Sequence, residues 1–282
     1  MKITTLIENR DSFTKSDLVS EWGLSLHIEL NNHSILFDTG ISGSFADNAE
    51  HLSVKIDSID AAVLSHQHFD HGDGLERFFT LNSNAKVYLA DAPIDERYIK
   101  ILGFFKKYIG LNNEIMTNYR DRFEPVSKPT EILPDVFIFP HIVNTHPQPI
   151  GNKQLFVKKD GKLSLDDFSH EIVMAIKENG KLVVFTGCSH NGILNMIDTV
   201  AKEFEGVLIK AVIGGFHLVV SPPFNFMAGT RKEVENLGKS VLNYPVEMTY
   251  TGHCTGAKAF KVLKSVMGDR IKDMRTGSCF EI

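Results

Sequence analysis

The chain has 282 residues, of which 43% are hydrophobic and 23% are charged, and its formal net charge is −5. This composition is typical of a globular protein with enough apolar residues for a sizeable core. Lysine and arginine are scattered rather than clustered, which argues against nucleic acid as a partner. Neither an apolar signal core nor a run approaching the roughly 20 apolar residues of a membrane span is found, so we expect a cytoplasmic protein without a membrane partner.

Alternation of apolar with polar residues, or a short continuous apolar run, predicts β-strands along much of the chain. The clearest case is 24–37, where GLSLHIEL alternates, turns at Asn31-Asn32 and continues as a second strand, a pattern typical of a hairpin. The polar stretch 147–168 predicts a loop and hairpin. Further strands are predicted at 2–8, 61–65, 86–90, 136–142, 171–177, 180–187, 207–215, 246–252 and, as an edge strand, 275–282.

Apolar residues at helical spacing predict helices at 193–204, 231–242 and 255–267. The same spacing predicts a helix over 94–108, inside a segment, 91–134, that we interpret as a partly helical insertion with an irregular end. Hairpins dominate the first part of the chain, and strands alternate with helices in the second. This order fits an α/β protein with helices outside mixed sheets, and the length favours one domain, 1–282.

Five short stretches share one layout, in which an apolar strand leads into a turn that combines glycine with histidine, aspartate or cysteine. Strand ends at one edge of a sheet converge on a common crevice, and glycine lets the backbone approach a bound group. Six of the 12 histidines lie in these turns. The stretches are LFDTG (36–40), LSHQHFDHGDG (64–74), FTGCSHNG (185–192), IGGFHL (213–218) and YTGHCTG (250–256).

The second of these stretches concentrates His66, His68, Asp70 and His71 in a few positions. Imidazole and carboxylate ligands together suit zinc, iron or manganese. Two histidines at i and i+2 on a tight turn can chelate one ion, while Asp70 and His71 point elsewhere and suit a second ion about 3.5–4 Å away. The spacing therefore predicts a site for one or two divalent metal ions.

HQHFDH matches the His-x-His-x-Asp-His signature of the metallo-β-lactamase superfamily, and LFDTG, FTG and YTGHCTG resemble other motifs of that superfamily. TGCSHNGI, GGFHL, TGHCTG and EWGLSLHIE together resemble a branch named for 7,8-dihydropterin-6-methyl-4-(β-D-ribofuranosyl)aminobenzene 5′-phosphate synthase or as metal-dependent hydrolases. The resemblance runs from about Asn9 to Gly256. It implies a four-layer αβ/βα sandwich with mixed sheets and a metal site at one edge, between the sheets, often occupied by zinc.

The resemblance also implies a ligand set. The superfamily usually has aspartate after Phe-Thr-Gly, where this chain has Cys188, so either Cys188 or His190 could substitute for it; we favour His190, with Cys188 adjacent. The superfamily's middle histidine has no plain counterpart, and His146 and His170 are the candidates. The predicted ligands are His66, His68 and His190 for one ion, and Asp70, His71 and His253 for the other.

Neighbouring residues have further candidate roles. Asp70 could instead act as the general base that orients a metal-bound water. Asp38 could orient a ligating histidine or only cap its turn. We suggest that His217 contacts substrate or acts as the acid toward the leaving group, with a packed, structural histidine as the alternative. Cys254 could support His253 or be a small buried residue.

The segment SPPFNFMAG (221–229) places apolar residues in a predicted loop directly after GGFHL. One interpretation is a lid on the substrate pocket, with Phe224, Phe226 and Met227 stacking on a flat aromatic substrate. The alternative is packing on the core, or an oligomer contact. The sequence does not indicate an oligomeric state.

The predicted function is a metal-dependent hydrolase in which a metal-bound hydroxide attacks an ester, thioester, lactam or phosphoester of a small molecule. The alternative is a pterin-related synthase of the methanopterin type, which joins two substrates with loss of diphosphate; only the branch name supports it. A non-catalytic metal-binding module is the remote alternative, because a purely structural site would more often be a closed Cys/His set.

Overall fold

The computed structural model describes residues 1–220 and 226–282. Its helices are α1 (Ser44–His51), α2 (Phe69–Gly72), α3 (Leu75–Leu81), α4 (Asn113–Asn118), α5 (Ile193–Glu203), α6 (Arg231–Leu242) and α7 (Ala257–Met267). Its strands are β1 (Lys2–Ile7), β2 (Ser25–Leu30), β3 (His33–Phe37), β4 (Ala61–Val63), β5 (Lys86–Ala90), β6 (Glu96–Ile101), β7 (Phe105–Tyr108), β8 (Phe123–Val126), β9 (Thr130–Leu133), β10 (Val136–Phe139), β11 (Leu155–Lys159), β12 (Lys162–Leu165), β13 (Val173–Glu178), β14 (Lys181–Phe185), β15 (Ile209–Ile213), β16 (Val246–Thr251), β17 (Ile271–Asp273) and β18 (Cys279–Glu281).

The described strands form two large mixed sheets and one small one. The first sheet has the order β18-β1-β2-β3-β4-β5-β8, and the second has the order β17-β16-β15-β14-β13-β10-β9. In the first sheet β1, β3, β4 and β5 run in one direction, and in the second β14, β15 and β16 are parallel. The small antiparallel sheet has the order β12-β11-β6-β7.

Apolar side chains fill the spaces on both faces of each large sheet. In β14, Val183 and Phe185 belong to the core between the sheets, while Leu182 and Val184 belong to the core beneath α5, α6 and α7. The first sheet is covered on its outer face by α1 and α3, whose Phe45 and Phe78 are fully buried. Burial on both faces explains why the central strands are almost continuously apolar. The layers are helix, sheet, sheet and helix, which confirms the predicted four-layer αβ/βα sandwich.

The strands and helices predicted outside 94–108 are confirmed, with ends that shift by a few residues. The short helices α1, α2 and α3 were not predicted. Among the described residues, no helix combines the length and the apolar character that crossing a membrane requires. The assignment of 1–282 to one domain stays a prediction.

The predicted helix over 94–108 is wrong, because this segment forms the β6–β7 hairpin. Alternate residues of β6 are buried, and Arg97, 3% exposed, forms an ion pair with the buried Asp166 (Nε to Oδ2 3.3 Å). Leu102 and Phe105, which fitted a helical apolar face, are exposed instead. Pairing of β6 with β11, which is distant in sequence, therefore outweighs the local spacing. Within 91–134, α4 is helical, while β8 and β9 belong to the two large sheets.

Replacing Phe78 with alanine should lower the free energy of unfolding by about 3–5 kcal/mol, because it removes a fully buried ring between α3 and the first sheet. Denaturant unfolding followed by circular dichroism measures the loss. The matched control is Leu165→Ala, at a side chain that is 58% exposed on β12, which should change the free energy by less than about 0.5 kcal/mol. Equal losses in both variants would contradict the assignment of this core.

Candidate metal centre

The predicted site residues follow strands that end at one edge of the sandwich. Asp38 follows β3 and His66 follows β4 in the first sheet, while His190, His217 and His253 follow β14, β15 and β16 in the second. The structure brings all six predicted ligands together, and none is more than 7% exposed. They are His66, His68, Asp70, His71, His190 and His253.

The first predicted set has three ring nitrogens that lack partners. Ligand nitrogens of His66, His68 and His190 lie within 4.8 Å of one another. The Nε2 atom of each is buried and has no hydrogen-bond partner among the described residues. Buried polar groups almost always have a partner, and each unsatisfied one is costly. Three such atoms in one place indicate a site for a ligand that accepts their lone pairs.

The second predicted set is equally compact. The Nε2 atoms of His71 and His253 are 3.1 Å apart. Oδ2 of Asp70 lies 4.0 Å from His71 Nε2 and 3.5 Å from His253 Nε2. Burial raises the pKa of Asp70. At His71, burial opposes protonation, but Asp38 and Asp70 outweigh it and raise the pKa of the imidazole.

Two adjacent hydrogen bonds fix the tautomers of His66 and His71. The Asp38 carboxylate accepts from the Ser65 backbone N–H (2.7 Å) and from the Ser65 hydroxyl (2.7 Å). Because that hydroxyl proton is used, Ser65 Oγ can only accept at His66 Nδ1, 2.8 Å away. Asp38 Oδ2 also accepts from His71 Nδ1 (2.7 Å). Both histidines therefore carry their proton on Nδ1 and present an Nε2 lone pair to the site.

Asparagine side chains fix the tautomers of His190 and His253 in the same way. The Asn152 amide donates to the backbone carbonyl of His190 (2.7 Å), which turns its Oδ1 toward His190 Nδ1 (3.2 Å). The Gly23 N–H donates to Asn9 Oδ1 (3.0 Å), so this oxygen faces His253 Nδ1 (2.9 Å) as an acceptor. Both imidazoles must then donate from Nδ1, so that each Nε2 is unprotonated and has a lone pair available.

Two buried carboxylates hold the backbone of the same histidines. Glu171 accepts from the N–H groups of His190 and Asn191, both at 2.7 Å, and burial raises the pKa of Glu171 to about 7. Glu8 accepts from the His253 N–H, and burial raises its pKa as well. Sequence analysis missed both carboxylates and both asparagines. Glu8 and Asn9 could have been found, since they follow the apolar strand β1 at the same edge; Asn152 and Glu171 have no comparable signal.

The donor set fits a divalent metal. With Nδ1 protonated in both rings, neutral His71 and His253 bring two Nε2 lone pairs to within 3.1 Å of each other, as two ligands of one cation would. Neutral imidazole and carboxylate are the ligands of zinc, iron and manganese. Burial lowers the pKa well below its usual range at four imidazoles, which keeps them neutral: His66, His68, His190 and His253.

Comparison with known proteins agrees with this site. A sequence profile for the metallo-β-lactamase superfamily matches residues 23–253. The chain belongs to the metallo-β-lactamase superfamily. A relative from Methanocaldococcus jannaschii, named 7,8-dihydropterin-6-methyl-4-(β-D-ribofuranosyl)-aminobenzene-5′-phosphate synthase, is 29% identical over 280 residues, 92% of this chain and 89% of that protein. An uncharacterized protein of the same organism is 31% identical over 261 residues, 91% of this chain and 92% of that protein.

Solved structures show the same fold. The crystal structure of Tm1679, a metal-dependent hydrolase of the β-lactamase superfamily, is similar with a TM-score of 0.81 and 29% identity, covering 100% of this chain and 99% of that one. Zinc-bound PqqB from Methylobacterium extorquens is similar with a TM-score of 0.60 and 11% identity, covering 100% of both chains. At that identity the likeness shows the fold alone.

Of the two histidines proposed as counterparts of the superfamily's middle histidine, His146 is paired elsewhere, while a ring nitrogen of His170 lies within 4.8 Å of ligand atoms of His68 and Asp166. His146 Nε2 lies 3.1 Å from Tyr244 Oη and 3.1 Å from Asp198 Oδ2. His170 is buried next to His68, but its Nδ1 accepts from the Gln67 N–H (3.0 Å) and its Nε2 faces Asp166 (3.4 Å). His190, which follows β14, is instead the third imidazole beside His66 and His68.

A pocket of about 230 Å³ opens beside the two ligand sets. His217 lines it with its ring 4.2 Å from that of His190, and burial lowers the pKa of His217 to about 4, against a smaller opposing effect of Gly151. Its other walls are largely apolar and come from Trp22, Ile41, Phe69, Ile99, Ile109, Leu155 and Val219, with Lys107 as a cation.

The residues predicted to form a lid do not line this pocket where they are described. Phe226 is 54% exposed beside a separate groove, with Lys258 Nζ 5.4 Å from its ring centre. Met227 packs against the core beneath the helices of the second sheet. Phe224 lies outside the described residues. Ile99 of β6 and Leu155 of β11, in the small sheet, do line it.

Replacing Asn9 with leucine should weaken metal binding about 10–100-fold, because His253 loses the acceptor that fixes its tautomer. Asn9→Asp keeps an oxygen for both the Gly23 N–H and His253 Nδ1, and should retain most of the affinity. Competition with a chromophoric chelator measures both. Unchanged affinity in Asn9→Leu, or an equal loss in both variants, would contradict the role of this oxygen.

Proposed function

We propose that this member of the superfamily is a metal-dependent hydrolase of a small-molecule ester, thioester, lactam or phosphoester. The observation that supports it most is the convergence of buried Nε2 lone pairs at the base of a pocket open to substrate. A closed structural site would surround the metal with protein ligands on all sides. The structurally similar protein Tm1679 is named a metal-dependent hydrolase, which supports the same reaction class.

Different residues of the chain would bind each of the two ions. His66, His68 and His190 would hold one ion, and Asp70, His71 and His253 the other. When bound, such ions lower the pKa of a coordinated water and polarise the attacked carbonyl or phosphoryl oxygen. Zinc suits these ligands, with iron and manganese as alternatives.

Pocket residues would bind and orient the substrate. Trp22, whose ring lies 5.3 Å from that of His253, would exclude water and pack on the apolar part of the substrate. Lys107 would attract an anionic group at the pocket wall. His217, beside His190, would hydrogen-bond to the reacting end. These contacts would hold the scissile bond next to the metal centre.

The second candidate is a pterin-related synthase that joins two substrates with loss of diphosphate. The specific observation in its favour is the Methanocaldococcus jannaschii relative of that name, which is similar over 92% of this chain. The same ions would then bind the leaving diphosphate. Incubation of the metal-loaded protein with a dihydropterin diphosphate distinguishes the two reactions. A hydrolase cleaves this compound with water whether or not the aromatic amine is present, whereas the synthase releases diphosphate only when that acceptor is present.

The native protein should contain about two equivalents of metal, and His66→Ala and His190→Ala should each lose metal, because each removes a buried ligand nitrogen from the first set. Elemental mass spectrometry on anaerobically purified protein measures this. His146→Ala is the matched control. The His146 ring is paired with Asp198 and Tyr244, so its removal should leave the metal content unchanged. A metal content below about a tenth of an equivalent per chain, even after zinc, iron or manganese is supplied, would contradict the proposal.

Replacing His217 with asparagine should lower kcat/KM about 5- to 30-fold, the effect of losing one hydrogen bond of about 1–2 kcal/mol, without changing metal content. Steady-state kinetics on whichever ester or phosphoester is turned over, with metal analysis of the same samples, checks this. Loss of metal in His217→Asn would instead place His217 among the ligands. Unchanged kinetics would make it a packed, structural histidine.

A further inference from the structure

We infer that Cys188 is a thiolate ligand shared by both metal ions, so that this centre contains sulfur where the superfamily usually has an aspartate carboxylate. The inference rests on the proposed metal-dependent function and adds a residue to its ligand set. It is carried by the position of one sulfur atom between the two groups of imidazoles, and by the hydrogen bonds of the neighbouring Cys254.

The Cys188 sulfur faces nitrogens of both predicted sets. Its Sγ lies 3.3 Å from His71 Nε2, a ligand atom of the second set. It also lies within 4.8 Å of ligand nitrogens of His66 and His190, from the first set, and of His253, from the second. A side chain that close to both sets can contact both ions at once.

The local backbone brings this sulfur into the site. Gly187 lies so close to the first set that an added Cβ would be 2.1 Å from Ser65 Oγ and 3.0 Å from His66 Nδ1. Ser189 then takes a positive φ of 57° and donates from its hydroxyl to the Gly215 carbonyl (2.6 Å). The turn therefore fixes Cys188, 4% exposed, against the imidazoles and at the wall of the pocket.

Cys254 lies close enough to the same site to serve as a control for Cys188, but its sulfur makes different hydrogen bonds. Its sulfur lies within 4.8 Å of the ligand atoms of Cys188 and His253. However, Cys254 Sγ accepts from the His217 N–H (3.3 Å) and donates to the Cys188 carbonyl (3.5 Å). Its donor and acceptor are both used by the backbone, whereas Cys188 directs its sulfur at a lone-pair nitrogen. Only Cys188 should bind metal.

Ligation would be coupled to loss of a proton. The Cys188 thiol releases its proton to solvent when the metal–sulfur bond forms, with no change in oxidation state of either partner. Thiolate is a soft ligand, so the centre should prefer zinc or iron over manganese. A carboxylate in the same position would not give this preference.

The test uses the full chain, stripped with a chelator and reloaded with cobalt(II) or zinc. In the cobalt-loaded protein we expect a sulfur-to-cobalt charge-transfer band in the near ultraviolet, and in the zinc-loaded protein X-ray absorption should show sulfur at about 2.3 Å from zinc. Both signals should vanish in Cys188→Ser and Cys188→Asp, and both should persist in Cys254→Ser. Cys188→Asp restores the usual superfamily carboxylate and should keep its metal, which covers the case in which Cys188→Ser does not fold.

The outcomes separate this inference from the proposed function. Wild-type protein that binds two equivalents of cobalt without the band would overturn thiolate ligation and leave the metal centre intact. A band that persists in Cys188→Asp and disappears in Cys254→Ser would assign the sulfur to Cys254 and overturn it as well. Wild-type protein that binds no metal at all would overturn both the inference and the proposed function.

Discussion

The site depends on the tautomers of its buried histidines, which must direct Nε2 lone pairs toward one another if they are to hold a cation. The protein favours this arrangement by placing an acceptor at Nδ1, so that the proton of the neutral ring lies on that nitrogen. Ser65 and Asp38 do so for His66 and His71, and the two asparagines Asn9 and Asn152 do so for His253 and His190. The chain therefore presents these nitrogens in the form that can bind a metal ion.

This commitment requires both halves of the sandwich. His253 follows β16 of the second sheet, but its Nδ1 acceptor Asn9 and its backbone acceptor Glu8 follow β1 of the first sheet. The apolar core between the sheets fixes the distance across which these hydrogen bonds form. The packing of the core therefore determines the geometry of the centre, because a shift of one sheet relative to the other would move an acceptor away from its histidine.

Much of the fold and most of the candidate site could be predicted, because both depend on local patterns. Alternation and short apolar runs indicated the strands, and glycine turns with histidine after strands indicated candidate ligands as far apart as His66 and His253. The helix predicted over 94–108 failed because pairing of β6 with β11 is not encoded locally. Asn152 and Glu171 were missed for the same reason: each acts on His190 from a distant part of the chain. For Phe226 and Met227 the sequence left a pocket lid and packing on the core as alternatives, because an apolar loop does not indicate which surface it contacts.

The most direct measurement is an anomalous difference map from a crystal of the metal-loaded protein, recorded at the absorption edge of the bound metal. We expect two peaks at the shared edge of the sheets, one among the Nε2 atoms of His66, His68 and His190 and one between Asp70, His71 and His253. A peak elsewhere in the molecule, or a centre in which these Nε2 atoms bind protein groups or water instead of metal, would contradict the proposed centre.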